Sequence, residues 1–195
     1  DGASLFWGTN QQSPAWWHQD QNTSKPGPQQ RSYQAILCLT PRGRWDAGFN
    51  LVPGSHLSYR NPQPPKSGDW VPVPKGDPIV EQGIRLGTEE NTLIVFDSRL
   101  VHANSGMLKN HPNKKPHINR LAYYTTFVPR ERQTETIRQK RIEAYFTGEA
   151  HSHYAGRVEP KKLPFHLARK FKGLNQLKPA TNPDGSIPAY RLALI

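Results

Sequence analysis

Residues 91–106 read NTLIVFDSRLVHANSG. Within them TLIVFD (92–97) is a short apolar run with β-branched and aromatic members, the pattern of a buried strand. VHAN (101–104) follows at once as a second short element. It sets His102 just past the buried strand, where a side chain can point into the mouth of a barrel. Working outward, residues 32–40 (SYQAILCLT) form a convincing strand ended by Pro41, and residues 49–52 form a short one stopped by Pro53-Gly54. Residues 84–86 make a brief strand before Gly87, and residues 121–128 (LAYYTTFV) another, rich in aromatic and β-branched residues. Residues 42–47 read as a turn. Six prolines between residues 61 and 78 exclude a regular central strand and mark a long surface loop. Residues 1–31 are polar and Gln-rich, broken by Trp16-Trp17.

The composition agrees with a fold of strands and turns. The chain has 195 residues, with 19 prolines and 15 glycines, which argues against a helix bundle. Five Trp, seven Tyr and seven Phe supply a core and argue against disorder. After Pro129 the character changes. Residues 131–146 lack Pro and Gly and are rich in Arg, Gln, Glu and Lys, predicting one helix ended at Gly148. Residues 157–195 are basic, hold five prolines and read as irregular. The expected organisation is a β core over 1–129 and a helix with a basic extension over 130–195.

Several function classes fall away. No apolar run approaches a membrane span. The first ten residues lack the basic-then-apolar pattern of a signal peptide, so a cytoplasmic protein is the default expectation. Cys38 is the only cysteine, which excludes disulfides within the chain, zinc ribbons and paired-cysteine deaminase sites. It lies inside an apolar strand and reads as a small core residue rather than a nucleophile. No nucleophile elbow, phosphate loop, dinucleotide fingerprint or HExxH is present. The net charge of +11 is concentrated in the last third: residues 126–195 carry 13 Lys and Arg against 6 Asp and Glu. That excess attracts an anionic substrate, nucleic acid or an acidic protein surface, or simply keeps the surface solvated.

The informative polar residues are His18, Asp20 and His102. In WHQD (17–20) the histidine and aspartate are two apart, hence on one face of an extended segment. With His102 as a third donor they make two histidines and one carboxylate, the facial triad of non-haem Fe(II) oxygenases, whose open positions take cosubstrate and O₂. Taken singly, an H-x-D pair is a common coincidence, and most histidines serve structure or surface. His56 reads as a turn residue, and His111 as solvated.

Read in order, HQDQ (18–21), LVPGSHL (51–57), NTLIVFDSRLVHANSG (91–106) and NRLAYYTTFVP (119–129) resemble the phytanoyl-CoA dioxygenase-like family of Fe(II)- and 2-oxoglutarate-dependent oxygenases. The resemblance covers about residues 16–129. It implies a mainly β fold, a double-stranded β-helix of jelly-roll or cupin-like form, here with a C-terminal helix and a basic irregular tail. It implies His18, Asp20 and His102 as iron ligands. Arg120 matches the arginine that pairs with the distal carboxylate of 2-oxoglutarate, and a guanidinium presents a planar fork to that group. Asn104 occupies a position where the family often has a serine holding the same carboxylate. Gln34 lies on the strand that lines the cosubstrate pocket, although a backbone carbonyl would equally satisfy its side chain. Trp16, Trp17 and Tyr124 read as cavity walls or as plain core.

Three departures accompany the resemblance. The family carries a substantial segment ahead of H-x-D, whereas 17 residues precede His18, so the N-terminal part of the core is expected to be missing. The loop between His102 and Arg120 is longer than usual. Asp46-Ala47-Gly48-Phe49 stands where the family has Asn-Gly. The activity implied is hydroxylation of a small-molecule or acyl substrate, with succinate and CO₂ as co-products. The alternative is an inactive jelly-roll module of structural or interaction type, anchored by the basic tail.

Overall fold

A computed structural model describes residues 3–9, 15–21, 31–43, 45–62, 70–112, 118–147, 150–151, 160–161 and 181–189. The chain forms two compact units, residues 5–124 and residues 1–4 with 125–195.

The first unit is mainly β and is built from two antiparallel sheets, a jelly-roll, cupin-like arrangement. Its strands are β1 (Ala3–Thr9), β2 (His18–Gln19), β3 (Tyr33–Cys38), β4 (Gly48–Leu51), β5 (Val71–Pro72), β6 (Ile84–Arg85), β7 (Thr92–Asp97), β8 (His102–Ser105) and β9 (Ile118–Phe127), the first and last running past the unit boundary. One sheet has the order β1-β9-β3-β7 and the other β5-β2-β8-β4-β6. Neighbours in the sheets are far apart in sequence, as a jelly roll requires.

Alternation along the strands builds the core between the sheets. Ile36 and Cys38 of β3, Phe96 of β7 and Ala122 of β9 are buried against Phe49 of β4, with Leu100 from the turn after β7. The Phe49 and Phe96 rings lie 4.9 Å apart at 43°, and Phe49 also packs 5.5 Å from the His102 ring. Phe49→Ala is therefore expected to cost about 3–5 kcal/mol of stability, measurable by urea unfolding, because the void opens where the two sheets meet.

Two local expectations need correction. TLIVFD is a strand, but a half-buried one: Phe96 is 8% exposed while Leu93 and Val95 are each 59% exposed. Strand β7 pairs with β3 over Tyr33↔Asp97 to Cys38↔Thr92 and stands at the end of its sheet among the described residues, so its outward side chains are not covered. The polar first 31 residues, for which the sequence suggests only an extended WHQD segment, contain β1 as well as β2. Ladder hydrogen bonds, blind to side-chain polarity, make both.

The PGSH turn does more than change direction. Gly54 takes a left-handed φ of 73° ahead of the single-turn helix α1 (Ser55–Ser58). A side chain there would be strained. Ser55, 1% exposed, donates to the Val52 carbonyl at 2.8 Å and accepts the Val101 N–H at 2.9 Å. One hydroxyl thus ties the end of β4 to the residue before His102.

In the second unit the helix expected over 131–146 is a 3-10 turn (Arg130–Arg132) followed by α2 (Glu135–Thr147). Ala144 and Arg141 are buried, and Phe146 is exposed. Strands β10 (Ala150–His151) and β11 (Pro160–Lys161) pair antiparallel. The expected helix stop at Gly148 and most of the basic extension lie outside the described residues. No helix among the described residues is long and apolar enough to cross a membrane.

Candidate metal centre and anion chamber

Register brings the two histidines together. Strand β8 lies between β2 and β4, with His18↔His102 and Leu51↔His102 as cross-strand partners. Directly opposed residues of an antiparallel pair share a face, and the two imidazole centroids are 4.4 Å apart. Asp20 lies just past β2, in a bend fixed by the turn after β7. The Asp20 and Gln21 N–H groups both donate to the Ser98 carbonyl at 2.9 Å, and Gln19 Nε2 donates to the Arg99 carbonyl at 2.6 Å. The bend swings the Asp20 carboxylate over the histidine pair.

The result is a three-donor cluster. His102 Nε2 lies 3.2 Å from Asp20 Oδ2, and His18 Nε2 lies 3.5 Å from Asp20 Oδ1. One ligating atom from each residue falls within 4.8 Å of the other two. The far ring nitrogens are also held. His18 Nδ1 meets the Trp16 carbonyl at 2.7 Å, and His102 Nδ1 meets the Leu100 carbonyl at 2.9 Å. A carbonyl only accepts, so both Nδ1 atoms donate to it, and both Nε2 atoms face the carboxylate. Gln34 Nε2 donates to Asp20 Oδ2 at 2.6 Å. One partner is thus the carboxylate itself, which Gln34 orients.

Electrostatics follow from this crowding. Burial pushes the His18 imidazole down, the neighbouring His102 adds to it, and Asp20 opposes. Burial raises the Asp20 carboxyl. The hydrogen bond and charge of His102, the charge of His18 and the Gln34 bond outweigh that, holding Asp20 well below the usual carboxylate range. Two imidazole Nε2 atoms and an ionised carboxylate converging in this way fit a divalent cation. Gln34→Ala is expected to weaken divalent-metal binding by about 10- to 100-fold, the usual cost of losing a group that orients a ligand. Metal titration of the variant checks this.

A second polar cluster lies between the sheets. Arg120 of β9 is 0% exposed. It donates from Nη1 to Asn104 Oδ1 at 2.8 Å and from Nη2 to the Tyr124 hydroxyl, which itself donates to Asn104 Oδ1 at 3.0 Å. Asn104 therefore positions Arg120 through its oxygen. Burial lowers Arg120 to about 10, so it remains cationic at neutral pH. Asn104 follows His102 by two residues on β8, about 7 Å along the strand and on the same face.

Other polar residues nearby are engaged elsewhere. Arg99 is committed to Asp97, donating from Nε at 2.8 Å and Nη2 at 2.6 Å. His56 sits in α1, outside the three-donor cluster. His111, expected to be solvated, is buried, with Nε2 2.8 Å from Asp46 Oδ1; the loop folds back because Leu108 N–H donates to the Trp45 carbonyl. Trp16 is 64% exposed and packs 4.7 Å from Trp70, both rings 5.8 Å from His18. Trp17 rests on Gly83, where a Cβ would come within 2.5 Å of its ring. Residue reading missed Arg42, which it left in a turn. It is 4% exposed and turned inward. Its position after Pro41 carries no signal of that.

No protein-family model matches this chain, and no curated protein does. Solved structures that resemble it include EvdMO1 (22% identity, TM-score 0.44, covering 65% of this chain and 26% of that one). Others are EctD from S. alaskensis in its apoform (15%, 0.42, 64% and 42%) and the epimerase SnoN in complex with Fe3+, alpha ketoglutarate and nogalamycin RO (17%, 0.43, 65% and 51%). The chain spans about a quarter to a half of the length of these structures. At these scores the function has to be argued from the site geometry.

Proposed function

We propose that this chain is the core of an Fe(II)- and 2-oxoglutarate-dependent oxygenase that hydroxylates a small-molecule or acyl substrate. The observation that carries the reading is the convergence of His18 Nε2, His102 Nε2 and the Asp20 carboxylate, with both Nδ1 atoms tied to carbonyls. Three ligating atoms within 4.8 Å of one another are placed as a single divalent cation requires.

His18, Asp20 and His102 would hold the metal on one face, leaving the other for cosubstrate. Fe(II), when bound, supplies the oxidative chemistry, coupling decarboxylation of 2-oxoglutarate to substrate hydroxylation. The chain's own residues do the rest. Gln34 fixes the carboxylate of Asp20, and Phe49 and Phe96 pack against the His102 ring and exclude water from that side. Arg120, held by Asn104 and Tyr124, receives the distal carboxylate of the cosubstrate. Trp16 and Trp70 stand beside His18 as an aromatic wall facing the substrate side.

The test is anaerobic Fe(II) loading followed by metal analysis and measurement of succinate formed from 2-oxoglutarate under air. One Fe(II) per chain with succinate formation is expected. Absence of both would leave a jelly-roll module without oxygenase activity.

A further inference from the structure

A second buried arginine, Arg42, acts on Arg120 and is not used by the metal reading. Arg42 follows β3 at the isolated bridge Arg42↔Thr88 and is 4% exposed. Its Nη2 donates to Cys38 Sγ at 2.6 Å and its Nε to Thr88 Oγ1 at 3.2 Å. Neither partner is a carboxylate. Its Nη1 is buried with no hydrogen-bond partner among the described residues. The Leu39 N–H donates to the Leu121 carbonyl and the Leu121 N–H to Thr40 Oγ1, so the end of β3 leading to Arg42 lies alongside the β9 segment that carries Arg120. The charge of Arg42 also acts on Arg120 and on Tyr124, lowering the pKa of each. Two like charges turned into one low-dielectric space repel, and such a pair is stable when an anion lies between them.

We propose that Arg42 is a specificity-determining residue: it and Arg120 grip one carboxylate between two guanidinium groups, which selects 2-oxo acids bearing a distal carboxylate. This rests on the reading of the site as a 2-oxoglutarate site and adds a residue to it. A single arginine offers one fork. Two offer donors to both carboxylate oxygens and a second positive charge, which raises the gap between a dicarboxylate and a monocarboxylate of equal length.

The experiment measures anaerobic binding by calorimetry, on Fe(II)-loaded full chain, of 2-oxoglutarate and of 2-oxopentanoate, which has the same carbon chain and no distal carboxylate. Arg42→Gln is expected to weaken 2-oxoglutarate binding by about 10- to 100-fold, the loss of a charge-assisted hydrogen bond, and to leave 2-oxopentanoate within about twofold. Arg42→Lys keeps the charge and loses the fork, so it should fall between wild type and Arg42→Gln; it also decides the matter alone if the glutamine variant does not fold. The proposal is overturned if the variants bind 2-oxoglutarate as wild type does while Arg120→Ala does not, or if they lose both acids equally, the mark of a structural role. Wild type that binds Fe(II) but no 2-oxoglutarate overturns the functional reading itself, and the proposal with it.

Discussion

Asp20→Asn should lower Fe(II) affinity by more than about 100-fold, beyond the cost of removing a group that merely orients a ligand. The substitution keeps the shape of the side chain and an oxygen that can accept from Gln34 Nε2, now 2.6 Å from Asp20 Oδ2. What it removes is the negative charge facing two imidazole lone pairs. Two neutral imidazoles and an amide bind a divalent ion far more weakly than the same set with a carboxylate. The fold should survive, because the bend at Asp20 is held by backbone bonds to the Ser98 carbonyl that the substitution leaves alone. Metal titration against a chelator, with circular dichroism as the control for folding, reads both parts. Wild-type affinity in the variant would place the metal elsewhere.

Arg120→Ala should abolish measurable 2-oxoglutarate binding, a loss of about 100-fold or more from two charge-assisted bonds, while Fe(II) affinity changes little. Metal ligands and anion grip are separate structures: the first is built on β2 and β8, the second on β9 with Asn104. Truncation also strips Asn104 Oδ1 and the Tyr124 hydroxyl of their arginine partner and leaves a void beside the core, so a drop in stability should accompany it. Arg120→Lys separates the two effects. It fills the space and keeps the charge but cannot present a fork, so it should restore stability more fully than affinity. Titration with 2-oxoglutarate, alongside urea unfolding, checks the pair. Unaltered cosubstrate binding in Arg120→Ala would assign the carboxylate to another residue, with Arg42 next in line.

The strands, their alternation and the candidate donors were legible in the sequence because each depends on a few neighbouring residues. Apolar and β-branched runs bounded by Pro and Gly located β3, β4, β7 and β9, and the two-residue spacing of His18 and Asp20 announced a shared face. The order of motifs along the chain singled out His102, Arg120, Asn104 and Gln34. Tertiary structure decided what those residues touch. His18 meets His102 only because β2 pairs with β8 in one register, and a slip of one residue would send one ring to the opposite face. Gln34 turned out to hold Asp20 because β3 crosses in front of the bend after β2. The burial of Arg42 and His111 was invisible for the same reason. Both lie in stretches with no periodicity, and each takes a partner from far along the chain, Thr88 for Arg42 and Asp46 for His111. Local pattern determines which segments become strands; the pairing of distant strands, which no local window contains, determines which side chains share a cavity.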